Sequence, residues 1–198
     1  MSRSSGFRRR RLSPWILPLA LGLILAGRPR FAASEPATGS APAPDEYAVK
    51  SALLYNFARF VEWPTGTFAT TDAPFVIGVL GDDPIGPSLE RVLAGKTVTG
   101  HAIVIRRWRR VRDRGPCQML YVAGEQSGDL ERVLRELGDQ PVLTVADFTD
   151  FARQGGMIEI VVEKHHLRFE INAAGAEHSH LKISSRLLSL AHVVAGPR

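Results

Sequence analysis

The stretch PFVIGVLGDDPIGPSLERVLAG, Pro74–Gly95, carries the fold in miniature. Phe75–Leu80 is a continuous apolar run of strand length, bounded by Pro74 and Gly81, as expected of a strand buried on both faces. Gly81-Asp82-Asp83-Pro84 then turns the chain. Asp83 is the candidate N-cap of a helix, with Pro84 at its first position. Ile85, Leu89, Val92 and Leu93 share one face of that helix, and Gly95 ends it.

The same alternation repeats downstream. His101–Arg106, Gln118–Val122 and Pro141–Val145 read as further strands. Between the last two, Leu130, Val133, Leu134 and Leu137 fall in helical register, with Ser127 as cap and Gly138 as stop. Asp147–Arg153 reads as a short helix closed by Gly155-Gly156. Met157–Val162 and Leu167–Ile171 form a hairpin, residues 173–180 are helical in composition, and Ser185–Val194 is the last helix. Upstream, Glu46–Pro64 (EYAVKSALLYNFARFVEWP) is an amphipathic helix whose stripe is Leu53, Leu54, Phe57, Phe60 and Val61. Pro64 disfavours helical geometry at Trp63, which sets its end. Strands alternating with helices imply a three-layer α/β/α sandwich around a mixed, mostly parallel sheet, with an antiparallel hairpin near the C-terminus.

The formal charge of +5 over 198 residues would suit a nucleic-acid or membrane binder. Its distribution excludes that reading for the folded part. Residues 1–34 hold seven Arg and no acid, leaving 18 basic residues against 20 acidic ones. That segment has the layout of a secretory signal: Arg8–Arg11, then the apolar Trp15–Ala26, then a cut after Ser34 with Ala32 three places before the bond. The apolar run is shorter than the roughly 20 residues of a bilayer span. Residues 35–45 are Pro-, Ala- and Ser-rich and read as a disordered leader, and the folded domain as 46–194. Cys117 is the single cysteine, so no internal disulfide can form. It is either a buried apolar residue or the source of a bridge between chains.

The motifs that carry chemistry are few. The Gly81–Gly86 turn lies where ligands of open α/β sheets bind, but Asp82 and Asp83 oppose a phosphate and no phosphate-binding Gly-rich motif is present. Arg106, Arg107, Arg109, Arg110, Arg112 and Arg114 surround Trp108, and read either as a grip for an acidic partner or as a solvated loop. His165, His166, His178 and His180 lack a ligand spacing, so no metal or cofactor is expected. Asp147, Asp150 and Glu159 could pair as carboxylates, but no nucleophile motif accompanies them and no enzyme is expected. Arg168, Glu170 and Asn172 share one strand face opposite Phe169 and Ile171. They read as a recognition face or as the solvated side of an edge strand, with Lys182 and the candidate N-cap Ser184 following.

Six segments in order resemble the YfiR family of exported bacterial proteins. They are LYNFARFVEWP (Leu54–Pro64), PFVIGVLGDDPIG (Pro74–Gly86), GKTVTG (Gly95–Gly100), the Pro141–Ile158 segment, RFEIN (Arg168–Asn172) and LKISSRLLSLA (Leu181–Ala191). The resemblance implies a periplasmic α/β domain, often a homodimer, that binds the periplasmic part of a membrane-anchored diguanylate cyclase, or of a sensor kinase, and represses its output. It also implies control of cyclic di-GMP and biofilm. Arg168, Glu170, Asn172, Lys182 and Ser184, with Arg106, Arg107 and Trp108, are the expected partner- or ligand-binding surface. The family's disulfides are absent here. Its nucleotide binding through basic residues at the Trp-Pro turn is opposed by Glu62, while Lys182 keeps a positive charge before the last helix. The alternative reading is a periplasmic small-molecule or nucleotide-binding protein with its ligand at the carboxyl ends of the strands.

Overall fold

The computed structural model describes residues 44–82, 84–163 and 166–197. Residues 1–43, which hold the expected export signal and most of the expected leader, lie outside them, as do Asp83 and His165. The elements run α1 (Pro44–Arg59), β1 (Val61–Glu62), β2 (Phe75–Leu80), α2 (Gly86–Leu93), β3 (Thr97–Val98), β4 (His101–Trp108), β5 (Met119–Val122), α3 (Leu130–Leu137), β6 (Leu143–Ala146), β7 (Ile158–Glu163), β8 (His166–Ile171), α4 (Ala173–His178), β9 (Lys182–Ile183), α5 (Ser185–Leu188) and β10 (His192–Val193). Short 3-10 turns at Val111–Asp113 and Gly124–Asp129 follow β4 and β5.

Eight strands form one sheet in the order β10-β8-β7-β6-β5-β2-β4-β3. Neighbours are parallel except β7 with β8 and β3 with β4. A separate two-stranded ribbon pairs β1 with β9. The mixed, mostly parallel α/β architecture matches the sequence reading.

Alternation along the strands builds two cores. Ile77 and Val79 of β2, Met119 and Tyr121 of β5 and Val145 of β6 face α1 and α2, and pack with Leu54, Phe57, Ile85 and Leu89. Leu80, Leu120, Val122 and Ala146 face the other way, onto Leu130, Val133 and Leu137 of α3. Both faces of β2 and β5 are therefore covered, as a parallel sheet requires. At Gly78 the missing side chain makes room for the ring of Trp108, which lies across β2 from the neighbouring strand.

One buried charge ties α1 to the sheet. Lys50 is 5 % exposed, and its Nζ donates to Asp147 at 2.6 Å, just past β6, and pairs with Glu46 at 2.8 Å. Burial lowers the Lys50 pKa, but the two carboxylates outweigh it, and the net value lies above the ordinary 10.5. Asp147 thus neutralises a lysine.

Several expected elements differ. The first helix stops at Arg59, because Val61 and Glu62 pair with Ile183 and Lys182. At the start of α2, Pro87 occupies the first turn in place of Pro84, and Ile85 stands at the N-cap position without a side-chain cap bond. Ser127 sits inside a 3-10 turn and caps nothing, since α3 begins at Leu130. Residues 147–155 form turns, not a helix: Asp150 has φ +64°, and the amides of Asp150 and Ala152 donate to the Glu159 carboxylate. The last helix ends at Leu188, and His192–Val193 instead add a parallel edge strand to β8.

Gly78→Ala should destabilise the fold by about 1–3 kcal/mol, because a Cβ there overlaps the Trp108 ring and reaches Leu120. Urea denaturation measures it. An unchanged midpoint would mean that Trp108 does not pack over β2.

Candidate functional site

The residues expected to form one binding surface separate into two regions. Arg106, Arg107 and Trp108 lie on β4, within a strand and not a loop, while Arg168 and Glu170 lie on β8. Four strands stand between β4 and β8 in the sheet. At roughly 4.8 Å per step the two strands are about 24 Å apart.

At the β8 end, the alternation expected from sequence holds through Ile171. Phe169 and Ile171 face the α1 core, and Arg168 and Glu170 the opposite side. Glu170 accepts from Arg153 at 3.3 Å and meets His192 Nδ1 at 3.1 Å. Asn172 departs from the exposure expected of that face. It is buried, accepting from the Gly175 amide at 3.0 Å as the N-cap of α4 and donating to the Gly156 carbonyl at 3.2 Å. Gly175 and Gly196 lie close against its amide, where a larger residue at either position would collide with it. Ser184 is likewise a cap, accepting from the Leu187 amide at 3.3 Å. Lys182 reaches across the ribbon to Glu62 at 3.1 Å. That pair is solvent-exposed and worth at most about 1 kcal/mol.

Glu159, opposite Glu170 in the β7–β8 register, is 5 % exposed. Burial raises its carboxyl above the usual 4.5 and the Glu170 charge adds to the rise, against the opposing amides of Ala152 and Asp150. Sequence reasoning saw this carboxylate only as a possible acid partner of Asp147 and Asp150. In the structure it organises the turn before β7.

At the β4 end, Arg107 pairs with Glu90 at 2.8 Å, Arg110 with Asp113 at 2.8 Å, and Arg114 donates to Gln140 at 2.8 Å. Arg106, Arg109 and Arg112 are exposed and have no acidic partner among the described residues. Trp108 is half-buried in the α3 core, so it is not a free stacking platform. Cys117 is buried beneath this segment, and burial pushes its thiol up more than Arg114 pulls it down. A protonated, covered thiol fits the core reading, not a bridge between chains.

A family model described as DUF4154, YfiR/HmsC-like, matches residues 47–192. The chain belongs to the YfiR/HmsC-like family. No curated protein matches it. Among solved structures, a conserved domain protein from Vibrio cholerae O1 biovar El Tor N16961 is 11 % identical, with a TM-score of 0.52 over 74 % of this chain. The chain spans 59 % of that protein's length, and the likeness supports the α/β fold alone. A Streptococcus pneumoniae ABC domain in complex with L-Trp is 13 % identical, with a TM-score of 0.47 over 61 % of this chain and 55 % of its own. The family assignment supports a regulator's role in general terms, as opposed to a catalyst's.

For a YfiR/HmsC-like chain, two places could receive an anion, and both already hold an acid of the protein itself. Sheet order reverses between β2 and β5, the crevice where open α/β folds place ligands. There the Glu125 carboxylate accepts from the Asp82 amide and fills the space beside Gly81, whose φ of +99° opens the turn. At the Trp-Pro turn, Glu62 neutralises Lys182. A phosphate at either place would displace a carboxylate first.

Asn172→Ala should lose about 2 kcal/mol of stability, since it removes a cap and orphans the buried Gly156 carbonyl. A thermal or urea midpoint close to the native one would restore Asn172 to the list of recognition residues. Glu159 sets a pH dependence. Its folded pKa is raised, so its contribution is fully present below about 4.5 and is lost as pH rises through the folded value. The stability of the native protein relative to Glu159→Gln should therefore grow as pH falls from neutral, and a difference constant with pH would contradict the buried-carboxylate reading.

Proposed function

We propose that the protein is exported to the periplasm and represses an inner-membrane signalling protein, a diguanylate cyclase or sensor kinase, by docking on its periplasmic sensor domain. The observation that carries the proposal is the cationic edge: Arg106 on β4 and Arg109 just past its end stand exposed and without acidic partners among the described residues, and Arg112 does so on the 3-10 turn that follows. β3 covers only the beginning of β4, through Thr97 and Val98 against Ala102 and His101. The rest of that edge offers backbone groups next to the guanidinium groups, which suits a partner segment with acidic side chains. Family membership supports regulation, and the signal-like residues 1–34 support export. No helix among the described residues is long and apolar enough to cross a membrane. Repression then follows from linkage: docking lowers the output only if the docked sensor conformation is the inactive one.

The surface proposed here is narrower than the one expected from sequence. Asn172 and Ser184 serve the fold, and Lys182 is neutralised by Glu62, which leaves the β4 edge as the stronger electrostatic feature. Arg106→Glu combined with Arg109→Glu should weaken capture of the membrane partner by about tenfold or more and flatten its salt dependence. Arg168→Glu combined with Lys182→Glu should leave capture close to native. The reverse pattern, in folded variants, would move the docking surface to the β8 end.

A further inference from the structure

A groove runs between the C-terminal half of α3, the start of β6, the turn before β7 and α4, with a volume of about 500 Å³. That size lies within the range of roughly 300–1,000 Å³ typical of small-molecule sites. It lies on the α3 face, near the amino end of β6, away from both the cationic edge and the switch-point crevice. Its apolar walls come from Leu134, Leu137, Val142 and Met157. Among the described residues that line it there is no Lys, Arg, Asp or Glu.

Two buried hydroxyls line the same space with unused hydrogen-bonding capacity. Ser179 is 4 % exposed, and its Oγ has no partner among the described residues. Thr144 is 1 % exposed; its Oγ1 accepts from the Met157 amide at 3.0 Å, but its own proton has no acceptor among the described residues. Asn172 adds an amide whose oxygen and one N–H are already engaged, leaving the second N–H. Buried polar groups are ordinarily satisfied, and those that are not call for a specific explanation. Apolar walls with hydroxyls and one amide N–H converging on them are the usual anatomy of a ligand site.

We infer that this groove binds a small, uncharged, mainly apolar molecule that presents an oxygen acceptor, such as a ketone or lactone carbonyl, to Ser179 and Thr144. An ionised ligand is disfavoured, because its charge would be desolvated with no buried counter-charge on the described walls, where the titratable side chain is the exposed His178. The site differs in place and in chemistry from the nucleotide site expected at the carboxyl ends of the strands. It does not depend on the partner-docking proposal.

The test is fluorescence titration of the purified protein with prodan, a neutral naphthalene ketone whose emission reports apolar surroundings and hydrogen bonding to its carbonyl. Saturable binding with a blue shift is expected, with no displacement by the ionised anilinonaphthalene sulfonate. Ala174 lines the groove from an exposed position on α4, so Ala174→Trp should fill the groove and weaken binding at least tenfold without disturbing the core. Ser179→Ala should weaken binding about fivefold, the usual worth of one hydrogen bond. Because it removes an unsatisfied hydroxyl, its melting temperature should stay level or rise, which separates lost binding from lost fold. The inference is overturned if prodan does not bind saturably, if Ala174→Trp binds it as well as the native protein, or if Ser179→Ala binds it unchanged.

Discussion

The constraint on which the structure depends is that β2 and β5 must be covered on both faces. Neither strand has a polar side to offer: Ile77, Val79, Leu80, Leu120, Tyr121 and Val122 are all buried. α1 and α2 therefore lie on one face and α3 on the other, and the chain has to cross the sheet between them. The chain turns back at the β2–β5 boundary, going to β4 on one side and then to β5 and β6 on the other. Under α1 this apolar arrangement admits the charge of Lys50, which arrives with two carboxylates. A lone buried ammonium would cost several kcal/mol, so Asp147 and Glu46 are conditions of α1 packing where it does.

The same sheet decides what the charged side chains can do together. Residues that look like one constellation in sequence are distributed by strand order to opposite ends. β4 carries its arginines near one edge, where only β3 lies outside it, and β8 carries Arg168 and Glu170 near the other, where only β10 lies outside it. At the β8 end the charges are largely committed to one another, Glu170 with Arg153 and His192, and Lys182 with Glu62. At the β4 end Arg106, Arg109 and Arg112 have no acidic partner among the described residues. A regulator that works by docking needs one face whose charges await a partner, and the β4 edge answers that description better.

Much of the fold was legible because the signals are long and apolar. FVIGVL and QMLYV are apolar runs of strand length, read as strands and found as strands, and the Leu130, Val133 and Leu137 spacing is that of a packed helix face. The strands β1, β3, β9 and β10 were not legible, because two residues carry no periodicity and exist only through their pairing. Leu190 and Val193 misled for a related reason. Both were read within the last helix, yet they lie beyond its end, 69 % and 52 % exposed, and His192–Val193 pair with β8 instead. At Asp147–Arg153 a buried acceptor twelve residues or fewer downstream, Glu159, takes the amides that a helix would have used. Of the candidate site, the arginines were visible as a cluster, but the capping roles of Asn172 and Ser184 and the covering role of Trp108 depend on contacts with Gly175, Leu187 and Gly78.

The central claim is that the β4 edge, and not the β8 end, meets a membrane-anchored partner. Site-specific photo-crosslinking in cells tests it most directly, with the photoreactive residue placed in turn at Arg109 and at Arg168 and the captured proteins identified by mass spectrometry. The account expects Arg109 to capture one inner-membrane protein with a cyclase or kinase output domain, and Arg168 to capture nothing in common with it. Capture of that protein from Arg168 alone would contradict the account.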